Sequence, residues 1–221
     1  MGKLSIFISG QKKFGEEVLR LCMELGHTVV GVACPVDDKY IGTLADTFEI
    51  PRVAAGALCY ETLPDSFDLG ITAHSWDYIG RKSRYKAKIG WIGYHPSLLP
   101  RHRGKSAIEW AVRMKDAVTG GTVFWLNAGI DRGDIAAQDW CFIDPKYHSI
   151  DAKKAASLLW RERLLSMGLE LVKVVLNDIS AGRIVRKKQD LRYSTFEPCT
   201  DVKDVYKPDL LMLEWEKRRF L

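Results

Sequence analysis

"LSIFISGQKKFGEEVLRLCMELGHTVVGVAC", Leu4 to Cys34, decides the fold. "LSIFIS" (Leu4 to Ser9) is apolar on both faces, as a strand covered from both sides must be. "GQKKFG" then turns the chain. "EEVLRLCMELG" repeats its apolar residues at helical spacing and ends on Gly26, a residue suited to the left-handed helix stop. "HTVVGVAC" is a second strand. Strand, helix and strand in this order form a unit whose strands run parallel and whose crossover is right-handed.

Working outward, the alternation continues. "YIGTLADTFEI" predicts a short helix, Pro51 opens a brief strand, and "DLGITAH" (Asp68 to His74) is another strand with the loop "SWDYIG" at its carboxyl end. "IGWIGYH" (Ile89 to His95) is a strand, and "SAIEWAVRMK" a helix beginning near Ser106. "GTVFWLNAG" and "IAAQDWCFI" are two strands joined through "IDRGD". Asp151 caps one long helix with an apolar stripe that runs to Ile179. "PDLLMLEWEKRRF" predicts a terminal helix opened by Pro208, and its "LLMLEW" offers a contact surface for a second copy in a homodimer. The expectation is an α/β protein with a mostly parallel sheet and helices on both faces. Residues 1–185 form its main domain and residues 186–221 a C-terminal extension with a short helix.

Composition narrows the class. The chain has 221 residues, 47% of them apolar, which suits one large globular domain. No apolar run is long enough to span a membrane, and the short apolar N-terminus reads as a strand rather than a leader. Five cysteines, widely spaced and without a C-x-x-C, suggest reduced thiols in a cytoplasmic setting and argue against a zinc site or any other metal centre. The net charge of +5 is too small an excess to argue for nucleic acid.

Two stretches carry chemistry. "SGQKKFG" has glycines at 10 and 15, neither the dinucleotide fingerprint nor a phosphate loop, so a tight turn is its simplest reading, with Lys12 and Lys13 available to an anion. "GYHPSLLPRHRG" (Gly93 to Gly104) places His95 at the carboxyl end of a strand, where open α/β sheets open their ligand crevices, in a loop stiffened by Pro96 and Pro100. An acidic loop, "GIDRGD", follows at another strand edge. An imidazole whose tautomer is fixed by a carboxylate can move a proton and stabilise an oxyanion.

"YHPSLLPRHRG" followed by "AGIDRGDI" resembles the folate-dependent formyltransferase superfamily, and "GQKKFGEEV" is similar to the N-terminal pattern of the hydrolase domain of 10-formyltetrahydrofolate dehydrogenase, the nearest relative by eye. The resemblance covers residues 4 to 145 and the long helix. It implies the Rossmann-like formyltransferase fold and 10-formyltetrahydrofolate, released as tetrahydrofolate, as the folate. It places the catalytic histidine on His95 and the catalytic aspartate on Asp131, 36 residues apart. The pterin would lie against main-chain groups of two loops. The first holds His74, Ser75, Trp76, Asp77, Tyr78 and Ile79, and the second Asn127, Ala128, Gly129 and Ile130. Ser97, Leu98 and Leu99 would shape the same cleft. Leu98, Leu99 and Trp76 read equally well as its walls or as ordinary packing.

One position departs from the transferase pattern: Gly93 stands where those enzymes carry an asparagine two residues before the histidine. A lost oxyanion donor costs about 2 to 4 kcal/mol in the barrier. Three readings follow: formyl transfer to a small amine, hydrolysis to formate, or folate binding without turnover. Survival of both His95 and Asp131 favours transfer over mere binding. The stretch after Ile143 is too short for the second, tRNA-binding domain of methionyl-tRNA formyltransferase, so the expected acceptor is small.

Overall fold

A computed structural model of the protein describes residues 2–200. Seven strands form one sheet in the order β3-β2-β1-β4-β5-β6-β7. They are β1 (Ser5–Gly10), β2 (Thr28–Cys34), β3 (Arg52–Ala54), β4 (Phe67–Ala73), β5 (Ala87–His95), β6 (Val118–Trp125) and β7 (Ile135–Phe142). The first five pair in parallel and the last two run antiparallel. The helices are α1 (Lys12–Glu24), α2 (Ile41–Thr47), α3 (Arg81–Lys86), α4 (Ala107–Arg113), α5 (Ala152–Leu159) and α6 (Leu165–Ser180). The expected Rossmann-like α/β architecture is therefore observed.

Successive residues of a strand face opposite ways, and the buried sets divide accordingly. Ile6 and Ile8 of β1 join Phe14 and Leu19 of α1 and Val172 and Leu176 of α6 in the main core. Phe7 points to the other face, with Phe67, Ile79, Ala87 and Trp91. A smaller cluster ties α4 and α5 to Cys141 of β7.

Two local expectations are corrected, and one element is added. Helix α1 begins at Lys12, inside the stretch read as a turn, because Asp38 supplies the acceptor that its first turn needs. The Asp38 Oδ2 accepts from the Lys12 amide at 2.8 Å, while Oδ1 takes the Tyr40 and Gly42 amides at the start of α2. A short helix, α3, fills a segment that has no sequence periodicity. The single long helix after Asp151 is broken by a π turn over Trp160–Leu164. The Tyr94 hydroxyl donates to the Leu164 carbonyl at 2.7 Å, satisfying an acceptor in the irregular turn. Asp151 does cap α5, accepting from the Lys154 amide. The expected terminal helix at Pro208, and the dimer surface read from it, lie outside the described residues.

Candidate functional site

The carboxyl end of β5 carries His95, 7% exposed. Because side chains alternate along a strand, Trp91, Gly93 and His95 share one face. The loop after β6 folds back over that face, the Leu126 amide donating to the Trp91 carbonyl at 2.8 Å. This return brings Asp131 to His95: Nδ1 lies 3.6 Å from the carboxylate Oδ2, an ion-pair distance rather than a hydrogen bond. Oδ2 also accepts the Gly104 amide at 2.8 Å. Asp131 sits at φ +51°, a strained left-handed backbone, and Gln189 Nε2 donates to its carbonyl at 2.9 Å. Two residues 36 apart in sequence thus meet on one face of the sheet.

Beneath the His95 loop lies a buried polar frame. Thr122 Oγ1 donates to the Ser97 carbonyl and accepts the Leu99 amide, and Gln138 Nε2 donates to the Leu99 carbonyl. Ser97 and Leu99 are buried, the Ser97 hydroxyl donating to the Arg101 carbonyl. Leu98 is half-buried against Gly120. The rim is different. Trp76 and Tyr78 are exposed, Ile79 is buried in the core, and Lys105 lies over the Trp76 ring at 4.0 Å. That contact joins the His74–Gly80 loop to the His95 loop. The first loop is anchored below, where buried Ser9 bonds Ser75 at 2.5 Å and Asp77 at 2.9 Å. Across the site, Asn127 and Ala128 are exposed, with Gly129 and Ile130 half-buried. Asn127 folds its side chain back to accept the Gly129 amide at 2.8 Å, and Ile130 gives its carbonyl to Arg103. The second loop therefore meets His95 through Asp131, and the first touches the far end of the His95 loop through Lys105.

Gly93 is a packing requirement. A β-carbon there would collide with Thr72 Oγ1 and press on Leu126 Cδ1 at 3.1 Å. Thr72 pairs with Gly93 across β4 and β5, so its hydroxyl stands where a larger residue at 93 would begin. Sequence reading missed Thr72 because nothing in the linear pattern joins it to Gly93.

His74, exposed overall at φ +59°, sets its ring against Trp160 at 5.9 Å. Packing and then the nearby Lys12 charge push its pKa down to about 4. In the "SGQKKFG" loop Asp38 accepts the Lys12 amide at the α1 N-terminus, and the Lys13 ammonium pairs with Glu16 and Glu17. A hollow of about 540 Å³ between Phe142, Asp144, Lys146, Tyr147, Glu162 and Arg163 shares no residue with the His95 site. Among the described residues, no group of three His, Cys, Asp or Glu is placed to hold a metal ion, and no helix is long and apolar enough to cross a membrane.

Parallel strands, an antiparallel pairing at one side and a His–Asp pair at a strand's carboxyl end define an α/β protein with a polar site at the rim of its sheet. The family model described as formyl transferase matches residues 68–158, which include both His95 and Asp131. The chain is 30% identical over 210 residues to a cytosolic 10-formyltetrahydrofolate dehydrogenase of Xenopus laevis, covering 88% of this chain and 22% of that one. It thus spans about a fifth of the length of that relative. The fold is similar to an N-formyltransferase of Helicobacter canadensis, solved with folinic acid and dTDP-3-aminofucose (TM-score 0.70, 19% identity, 94% of this chain and 74% of that one). It is also similar to glycinamide ribonucleotide transformylase 1 of Symbiobacterium toebii (TM-score 0.66, 18% identity, 85% and 93%). These matches place residues 68–158, with His95 and Asp131, in the formyltransferase superfamily.

Proposed function

We propose that the protein takes the formyl group of 10-formyltetrahydrofolate and passes it to a small amine acceptor, with His95 and Asp131 as the catalytic pair. The observation that carries this reading is the approach of Asp131 to His95 Nδ1 at the carboxyl end of β5. The amine adds to the formyl carbon, and His95, held opposite Asp131, stabilises the oxyanion and moves the proton. The intermediate collapses by breaking the bond to N10, which takes up a proton as tetrahydrofolate leaves. In this reading the pterin lies against the main chain of residues 127–130 and the rings of Trp76 and Tyr78; the exposure of Asn127, Ala128, Trp76 and Tyr78 supports it. Five free cysteines suit the reduced, cytoplasmic setting that we propose.

Hydrolysis to formate is a second reading, favoured by Gly93. With Thr72 packed into its space, the site has no amide side chain two residues before His95. Incubation with 10-formyltetrahydrofolate decides between them. Tetrahydrofolate release that depends on an added amine, from a panel of amino sugars, amino acids and modified nucleotides, supports transfer. Formate release without any amine supports hydrolysis. Folate binding without either product refutes both.

A further inference from the structure

The imidazole of His95 makes one short bond outside its pairing with Asp131. Its Nε2 lies 2.7 Å from the main-chain oxygen of His102. A carbonyl only accepts, so Nε2 carries the hydrogen and Nδ1 is the nitrogen left facing Asp131. That carbonyl is itself held with unusual care. His102 is 3% exposed and sits at φ +51°. Its ring stands between two carboxylates: Nε2 hydrogen-bonds Asp116 Oδ2 at 2.8 Å, and Nδ1 lies 3.2 Å from Glu197 Oε1, an ion-pair approach without hydrogen-bond alignment. Its amide donates to Thr195 Oγ1 at 2.8 Å.

Asp116 follows α4, whereas Thr195 and Glu197 arrive from the far end of the described chain. Residues 195–200 lie as a strap across the loop. The Thr195 amide donates to the Pro100 carbonyl, and the Arg103 amide to the Thr195 carbonyl. Trp110 Nε1 donates to the Pro198 carbonyl at 2.8 Å, and the Arg103 guanidinium lies 5.5 Å over the Phe196 ring.

We propose that His102 and Glu197 are positioning residues for His95. The two carboxylates and the strap hold His102 in its left-handed conformation, its carbonyl holds Nε2–H, and Nδ1 becomes the nitrogen that exchanges a proton with the reacting centre. The catalytic half of this claim rests on the function proposed above; the link from clamp to tautomer does not. A left-handed non-glycine residue is strained, so His102 relaxes when its clamp is opened. Its carbonyl then turns from Nε2. The Gly104 amide on Asp131 belongs to the same loop and shifts with it. In the reaction, Nδ1 accepts the proton that the attacking amine or water loses and returns it to the departing N10. Nε2–H is unchanged throughout.

The test uses the full chain with 15N-labelled imidazoles, His95 being assigned by the loss of its signals in His95→Gln. The wild type is expected to show neutral His95 with the hydrogen on Nε2. Glu197→Ala should mix the two tautomers and lower kcat for tetrahydrofolate release from 10-formyltetrahydrofolate by between ~10-fold and ~100-fold, the loss that a misplacement of about 1 Å produces, while KM stays unchanged. Glu197→Gln, which keeps an acceptor toward the His102 ring, should restore most of both. Should Glu197→Ala fail to fold, Asp116→Ala, which opens the clamp from its other side, is expected to show the same tautomer change. Hydrogen on Nδ1 in the neutral wild type overturns the proposal. So does a folded clamp variant with unchanged tautomer and kcat. A wild type that turns over nothing, yet whose tautomer follows the clamp, keeps the positioning claim and sinks the proposed function.

Discussion

At the scale of single residues, the pair at the mouth of the site sets the first expectation. His95→Ala and Asp131→Ala should each lower tetrahydrofolate release by about 10²- to 10⁴-fold, the range for loss of a positioned proton-transfer group, with the melting curve showing a folded protein. A variant with parent activity refutes the assignment of that residue. His74 gives a second, independent expectation. The unfolded imidazole takes a proton near its ordinary value of 6.5, but the folded one only near 4. Between those values the unfolded chain binds more protons, so stability falls on acidification through this window. Urea midpoints at pH 7 and pH 5 should show a small loss in the wild type, and a smaller one in His74→Asn, which accepts the left-handed φ of +59°. The loss is small because His74 is largely solvent-exposed.

The residue scale also shows where sequence reading stopped. His95 and Asp131 were legible because each lies in a short motif with a known pattern, although their distance was not. Thr72, His102 and Glu197 were not legible. His102 meets Glu197 across 95 residues of chain, and Thr72 meets Gly93 across a strand pair, so each contact exists only after the sheet and strap have formed.

Among the elements, strands and helices with a clear period were readable, since apolar spacing follows burial directly. The π turn was not, because its tertiary partner, Tyr94, reaches Leu164 from β5. Tyr94→Phe removes that bond and should cost about 0.5 to 1.5 kcal/mol in chemical denaturation. An unchanged midpoint would show that the turn holds itself. Packing between β4 and β5 sets the terms for any attempt to place a side-chain amide beside His95. Gly93→Asn alone collides with Thr72 and should cost about 1 to 3 kcal/mol. Thr72→Ala combined with Gly93→Asn should recover part of that stability and raise transfer to an amine relative to formate release. No gain in a well-folded double variant would count against the oxyanion argument.

For the whole molecule, β1 is the keystone, paired on both sides and with its side chains buried on both faces. Ile8→Ala should cost about 2 to 5 kcal/mol, as a fully buried truncation does, and lower the urea midpoint without moving KM. The parallel sheet was plain from the sequence because each strand–helix–strand unit repeats one pattern. What the linear pattern hid was the course of the chain after α6, where residues without periodicity return to the His95 loop and to Asp131 through Thr195, Glu197 and Gln189.

That return gives the protein an order of birth. On the ribosome the sheet, the imidazole and the acid all emerge long before residue 197, so a nascent chain can have its scaffold while its reactive loop is still unlatched. On the positioning proposed above, synthesis of the strap is then the event that latches His102 and through it His95, so the last stretch of the described chain to be made completes a site laid down long before it.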